Sequence, residues 1–282
     1  MNAEHVAVID LGTNTFHLLI VEINDREEMM IKEKYKENVK LGEGGLTSNR
    51  LSVASYERGL KAMRNFKKLI DSRNCTKTQA FATSAIRSAE NGKQFVAEVL
   101  AETGIQIRII NGNEEAALIY EGVRNGLKLP YEQDVLLMDI GGGSVEFIVA
   151  NQYHAKLLRS LKIGAARMLE LFPHSDPIKP EELLKIEQFL EKELSVLISE
   201  LKEFQITKLI GSSGSFETFG TLIAYDKGDH LTYDHMNGYK FDREQFKTIH
   251  QRIIQYNRTQ RMNMPGMESL RVDMIQMASI VT

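Results

Sequence analysis

The chain carries one short pattern twice, and that duplication limits its fold more than any other feature. Residues 6–23 read VAVID, LGTNT, FHLLIVEI, and residues 135–150 read VLLMD, IGGGS, VEFIVA. Aligning Asp10 with Asp139 places Gly12 on Gly141, Thr15 on Ser144 and His17 on Glu146. Each copy ends an apolar β-rich run in an aspartate, turns through small residues and leaves along a second β-rich run, which predicts a β-hairpin. Two hairpins of one design imply two similar lobes. A length of 282 residues suits two domains, since single cores stop growing at about 250–300 residues.

The segments between and after the hairpins alternate. Residues 51–70 place apolar side chains at helical spacing, QAFATSAIRSA (79–89) starts as a strand and ends as a helix start, and IQIRII (105–110) is a short strand. Residues 181–204 form a long amphipathic helix pattern, and TKLIGSSGSFETFG (207–220) reads as strand, glycine turn and helix start. Such alternation predicts an α/β fold of two lobes, residues 1–125 and 126–282, each with a mixed β-sheet flanked by helices. The break is expected where RNGLKLP interrupts a helix near residues 124–130.

The chemistry implied by these loops is anion binding. A strand ending in a carboxylate and followed by small residues sets a row of backbone N–H groups around a concavity, a nest that holds phosphate oxygens without net basic charge. Asp10 with Gly12, Thr13, Asn14 and Thr15 forms one candidate nest, and Asp139 with Gly141, Gly142, Gly143 and Ser144 a second. Gly214 and Ser215 mark a third, at a strand-to-helix turn. The competing account is that these are ordinary turns, which weakens when two loops match. The formal charge of −3 provides no electrostatic footprint for nucleic acid, so an anionic ligand must be held locally.

Asp10, Asp139 and Glu146 are candidate ligands of a hard divalent cation such as Mg²⁺, or else carboxylates that cap turns. Glu146 follows the triple glycine on a strand whose neighbours Val145 and Phe147 should face the other way; otherwise it is a solvated carboxylate on a sheet edge. In NGNEEAALIYEGV (111–123), Asn113 is the expected N-cap and Glu114 and Glu115 occupy the first turn, where the helix dipole favours acids whatever their role. With Ala116, Ile119, Tyr120 and Val123 facing the core, Glu115 lies about 90° from the apolar stripe and Glu114 almost opposite it. Glu115 is therefore the candidate to orient or deprotonate a water. Arg87, with Ser84 beside it, is a candidate bidentate phosphate contact. Lys40 stands next to the glycine turn LGEGGL. The single Cys75 is read as inert, no segment has the apolar length of a membrane span, and a cytoplasmic protein is expected.

VAVIDLGTNTFHLLI, FATSAIRSAENG, INGNEEAALIYEGV, VLLMDIGGGSVEFIV, SLKIGAARMLELF and LIGSSGSFETFG together resemble the ordered motifs of the exopolyphosphatase / guanosine pentaphosphate phosphohydrolase family. The resemblance implies two ribonuclease-H-like lobes of the actin, sugar kinase and Hsp70 type with a cleft between them. It implies Mg²⁺-dependent removal of terminal phosphate from inorganic polyphosphate, or from guanosine pentaphosphate. Glu115 is then the water-activating residue, Asp139 and Glu146 handle metal and water, Arg87 binds phosphate, and the three loops face the substrate. Lys40 stands where the family often has arginine. RVDMIQMASIVT resembles the approach to the family's final strand and helix, so a C-terminal lobe missing its last elements is expected, as is a preference for shorter chains. Guanosine pentaphosphate hydrolysis, an actin-like kinase or ATPase, and a non-catalytic polyphosphate or alarmone sensor remain as alternatives. A homodimer is compatible with the sequence, which shows no interface.

Overall fold

The computed structural model describes residues 4–26, 28–229 and 238–282. They divide into two compact units, Met1–Asn111 and Gly112–Thr282. In the first, the predicted hairpin forms β1 (Glu4–Leu11) and β2 (Phe16–Ile23), and a third antiparallel strand β3 (Met29–Glu37) follows. Then come α1 (Val53–Ser72), β4 (Lys77–Ala82), α2 (Ser84–Ser88), α3 (Gly92–Thr103) and β5 (Ile107–Ile109). The sheet order is β3-β2-β1-β4-β5. Phe16, Leu18 and Ile20 alternate inward along β2 and are buried, as a strand with one covered face requires. Ser52 caps α1 by accepting from the Ser55 N–H. The helices α1 and α3 pack closely at Gly59, where a Cβ would stand 2.8 Å from the Phe95 ring.

The second unit begins with α4 (Gly112–Gly126), then β6 (Val135–Ile140), β7 (Val145–Ala150) and β8 (Ala155–Leu161). There follow α5 (Ala165–Leu171), α6 (Pro180–Leu201), β9 (Leu209–Ser212), α7 (Ser213–Asp226), α8 (Arg243–Gln255), α9 (Arg258–Met262) and α10 (Ile275–Val281). Its sheet order, β8-β7-β6-β9, repeats the β3-β2-β1-β4 part of the first unit's sheet, with no counterpart of β5 among the described residues. Both faces of this sheet are covered. Met138, Ile140, Val145 and Phe147 join the core with α5 to α8 and α10, while Val135, Leu137, Ile148 and Ala150 pack with Ala116 and Tyr120 of α4. Every residue of β7 is accordingly buried. Among the described residues no helix is long and apolar enough to cross a membrane.

The duplication read from the sequence holds at the level of hydrogen-bond register. Asp10 pairs with His17 and Asp139 with Glu146. The Gly12 N–H donates to the Thr15 carbonyl at 3.2 Å, and the Gly141 N–H to the Ser144 carbonyl at 3.0 Å.

Two expectations are corrected. The unit boundary falls at 111/112 rather than near 125, because α4 buries Ala116 and Tyr120 against the second sheet. Asn113 lies inside α4, which starts at Gly112; there a Cβ would overlap the Ser160 side chain, so the first turn is pressed onto β8. Of the two readings of Glu146, the sheet-edge alternative is excluded, since β7 lies between β8 and β6. The attachment of α4 can be tested through the Tyr120 hydroxyl, which donates to the buried Asn151 carbonyl at 3.1 Å. Tyr120→Phe should cost about 1 kcal/mol in chemical denaturation, and no loss would mean that water replaces the contact.

Candidate active site

Register across the second sheet assembles a row of four polar residues. Glu146 lies opposite Asp139, Ser160 of β8 opposite Glu146, and Ser212 of β9 beside Asp139. Paired residues point to the same face, here the face under α4. Ser160 Oγ donates to Glu146 Oε1 at 2.7 Å, and the Ser212 hydroxyl donates to Asp139 Oδ2. The first turn of α4 lies against Ser160 and brings Glu115 close enough for its charge to act on both Asp139 and Glu146. Three carboxyl groups thus share one end of the sheet. Val145 and Phe147 face the opposite core, as the alternation predicts.

Crowding and burial disturb the titration of this row. Burial first, and the charge of Glu115 second, push Glu146 up to about 8, against hydrogen bonds from Ser160 and Ser144. Burial also pushes Asp139 up to about 6, opposed by Ser212 and assisted by Glu115. A raised carboxyl favours the folded state most when protonated, so its contribution is lost as pH climbs from its unfolded value through its folded one. The acidic pKa values that folding lowers, including Glu182 at about 2, act below this range. The lowered His250 acts below about pH 6.5. Between about pH 7 and 8.5 the Glu146 shift governs, and the thermal midpoint in chelator should fall. A flat or rising midpoint over that interval would contradict the raised Glu146.

The loop from Gly141 to Ser144 is braced from behind. The N–H groups of Ala165 and Arg167 donate to the Gly141 and Gly142 carbonyls, each at 2.9 Å. At the third loop, Ser213 takes φ +71°, a left-handed conformation costly for a residue with a Cβ. The Arg271 guanidinium lies directly on Gly214, where any Cβ would collide with it. Ser215 is buried in the first turn of α7.

In the first unit, Asp10 is exposed at the end of β1, and Thr13 is buried in the loop that follows. The Lys40 N–H donates to the Asn14 carbonyl at 2.7 Å and the Gly42 N–H to the Thr13 carbonyl at 3.0 Å, so Lys40 meets this loop through its backbone. Thr83 Oγ1 donates to the Leu11 carbonyl at 3.4 Å, which sets the start of α2 beside the loop. There Ser84 is 2% exposed and its hydroxyl has no hydrogen-bond partner among the described residues. Arg87 Nη1 donates to the Ile110 carbonyl at 3.1 Å. The structure therefore gathers Gly12, Thr13, Asn14, Thr15, Ser84 and Arg87 in one unit, and Glu115, Asp139, Glu146, the triple glycine, Gly214 and Ser215 in the other.

Among the described residues no group of three or more His, Cys, Asp or Glu is arranged to hold a metal ion. Asp139 and Glu146 nevertheless suit a hard cation that keeps water and ligand oxygens in its shell, because they are buried carboxyl groups with the charge of Glu115 acting on both, and a cation would compensate the negative charge gathered there. Four contributors were not among the candidate residues, although Ser160, Ser212 and Arg167 lie within the quoted motifs. Ser160, Ser212, Arg167 and Arg271 are ordinary residues in their local sequence, and only strand register or tertiary packing reveals them.

Two matched units of one strand order, each ending its first strand in an aspartate and a small-residue loop, define an α/β protein of the actin-like type. The chain belongs to the Ppx/GppA phosphatase family, whose model matches residues 19–282. It is similar to an exopolyphosphatase of Cytophaga hutchinsonii, with 29% identity and a TM-score of 0.93 over 99% of this chain and 88% of that one. A Ppx/GppA family member of Aquifex aeolicus shares 26% identity, with a TM-score of 0.74 over 99% of this chain and 89% of that chain. A bifunctional 3-dehydroquinate synthase/phosphatase of Fusobacterium nucleatum is 34% identical over 221 residues, 75% of this chain. The chain spans only 33% of the length of that curated relative.

Proposed function

We infer that this chain hydrolyses terminal phosphoanhydride bonds, with inorganic polyphosphate as substrate. The observation that carries the reading is the row Ser160, Glu146, Asp139 and Ser212 with Glu115 set over it. A protein that only bound polyanions would gain nothing from three carboxyl groups in mutual repulsion beside an anionic ligand. In the mechanism, Glu115 orients a water and accepts its proton as the water oxygen bonds to the terminal phosphorus. The bridging P–O bond breaks, orthophosphate is released and the shortened chain keeps the bridging oxygen. The loops at Gly141–Ser144 and Gly214–Ser215 hold phosphate oxygens through N–H groups, and within the first unit Gly12–Thr15, Ser84 and Arg87 are candidate phosphate donors by the same chemistry. Asp139 and Glu146 would hold Mg²⁺, which would supply neutralisation of phosphate charge.

Similarity to the Cytophaga exopolyphosphatase favours polyphosphate. Initial rates of orthophosphate release from polyphosphate, guanosine pentaphosphate and ATP, with Mg²⁺, test the assignment. The expected order places polyphosphate first by kcat/KM. Release from guanosine pentaphosphate alone would move the substrate to the nucleotide, and release from none of the three would overturn the hydrolase.

A further inference from the structure

A peptide in a glycine loop can turn either its carbonyl or its N–H towards a ligand, and whatever takes the carbonyl decides which. In the second unit, three successive carbonyls are taken by the short segment after β8. The Ala165 N–H donates to Gly141 O and the Arg167 N–H to Gly142 O. Arg167 Nε donates to Gly143 O at 3.0 Å. A trans peptide carries its N–H opposite its carbonyl, so the N–H groups of Gly142, Gly143 and Ser144 turn away from α5. Arg167 provides two of the three donors and is 6% exposed. Any residue could supply the backbone donor, but the hold on Gly143 needs a side chain of this reach.

The first unit repeats the clamp with different parts. After its third strand, Lys40 and Gly42 donate backbone N–H groups to Asn14 O and Thr13 O. That loop carries side chains at Thr13 and Asn14, and Thr13 is buried. Gly142 and Gly143 have no side chain to anchor them and the widest conformational freedom of any residue, so the second loop keeps its shape only if held from outside. Gly164 completes the hold. A Cβ there would stand 2.5 Å from Ser144 N and 2.6 Å from the Gly142 carbonyl carbon.

We propose that Arg167 is a positioning residue: its side chain holds the Gly143 carbonyl back, so that the Ser144 N–H faces phosphate oxygens beside those of Gly142 and Gly143, whose peptides are held by backbone donors. The proposal rests on the phosphoanhydride reading above. The competing role is a structural tie between α5 and the hairpin, which would affect stability and leave ligand affinity alone.

The test is calorimetric binding of inorganic tripolyphosphate, with KM for polyphosphate and the thermal midpoint, for the parent, Arg167→Met, Arg167→Lys and Gly164→Ala. Arg167→Met should bind tripolyphosphate about tenfold more weakly and raise KM in proportion, with part of the loss recovered in Arg167→Lys. Gly164→Ala, which displaces the same loop and keeps the arginine, should weaken binding similarly and decides the matter if Arg167→Met does not fold. Parental affinity and KM in folded Arg167→Met, or in Gly164→Ala, would overturn the positioning role and leave the hydrolase intact. A parent without affinity for tripolyphosphate would overturn both.

Discussion

Glu115→Gln should lower kcat for phosphate release by about 10²–10⁴ while polyphosphate binding persists. The amide keeps the shape of the side chain but cannot accept the proton of the attacking water. Glu115 is only half-buried in the first turn of α4, so folding should survive the change. Its charge adds to burial in raising the pKa of both Asp139 and Glu146, so the substitution should lower both in part and leave the share due to burial. Substrate affinity should hold or improve, because a negative charge is removed beside an anion. The combination of lost turnover and retained affinity distinguishes a water-activating group from a binding one. A fall of less than about tenfold in kcat would assign Glu115 to the helix dipole alone.

Glu146→Gln should separate activity from stability in opposite directions. Glu146 is 1% exposed, and its pKa of about 8 means that holding it ionised at higher pH costs folding energy. The amide still accepts from Ser160 and carries no charge. In chelator at about pH 8.5 the variant should be more stable than the parent by on the order of 1 kcal/mol, about 2–4 °C in thermal midpoint. Hydrolysis should fall by about 10² or more, if Glu146 is the cation ligand proposed above. Mg²⁺ should raise the midpoint of the parent more than that of the variant, by mass action on the folded state. A variant less stable than the parent at that pH would show that the buried carboxylate is satisfied by its surroundings.

Much of this arrangement was legible because it is local. A hairpin sets its own register, so the alignment of Asp10 with Asp139 also placed His17 and Glu146 opposite them. The same alternation sent Val145 and Phe147 to the other face. Helical spacing picked out Ala116 and Tyr120 as the buried side of α4 and left Glu115 at its margin. What escaped depends on neighbours distant in the chain. The third strand β3, MMIKEKYKE, exposes most of its residues on a sheet edge and so lacks an apolar alternation to read. The third strand of the other sheet, AKLLRSL, is half-buried throughout apart from one exposed residue, and Ser160 within it becomes notable only through its pairing with Glu146. The placement of α4 on the second sheet depends on Tyr120 meeting Asn151, a contact 31 residues away that no local pattern announces. Arg271 reaches Gly214 across a still longer separation.

The measurement that bears most directly on the central claim is hydrolysis of polyphosphate in ¹⁸O-labelled water with Mg²⁺. Attack by water on the terminal phosphorus predicts one labelled oxygen in each orthophosphate released and none in the shortened chain after a single turnover. Unlabelled orthophosphate, label confined to the chain end, or no release at all would contradict it.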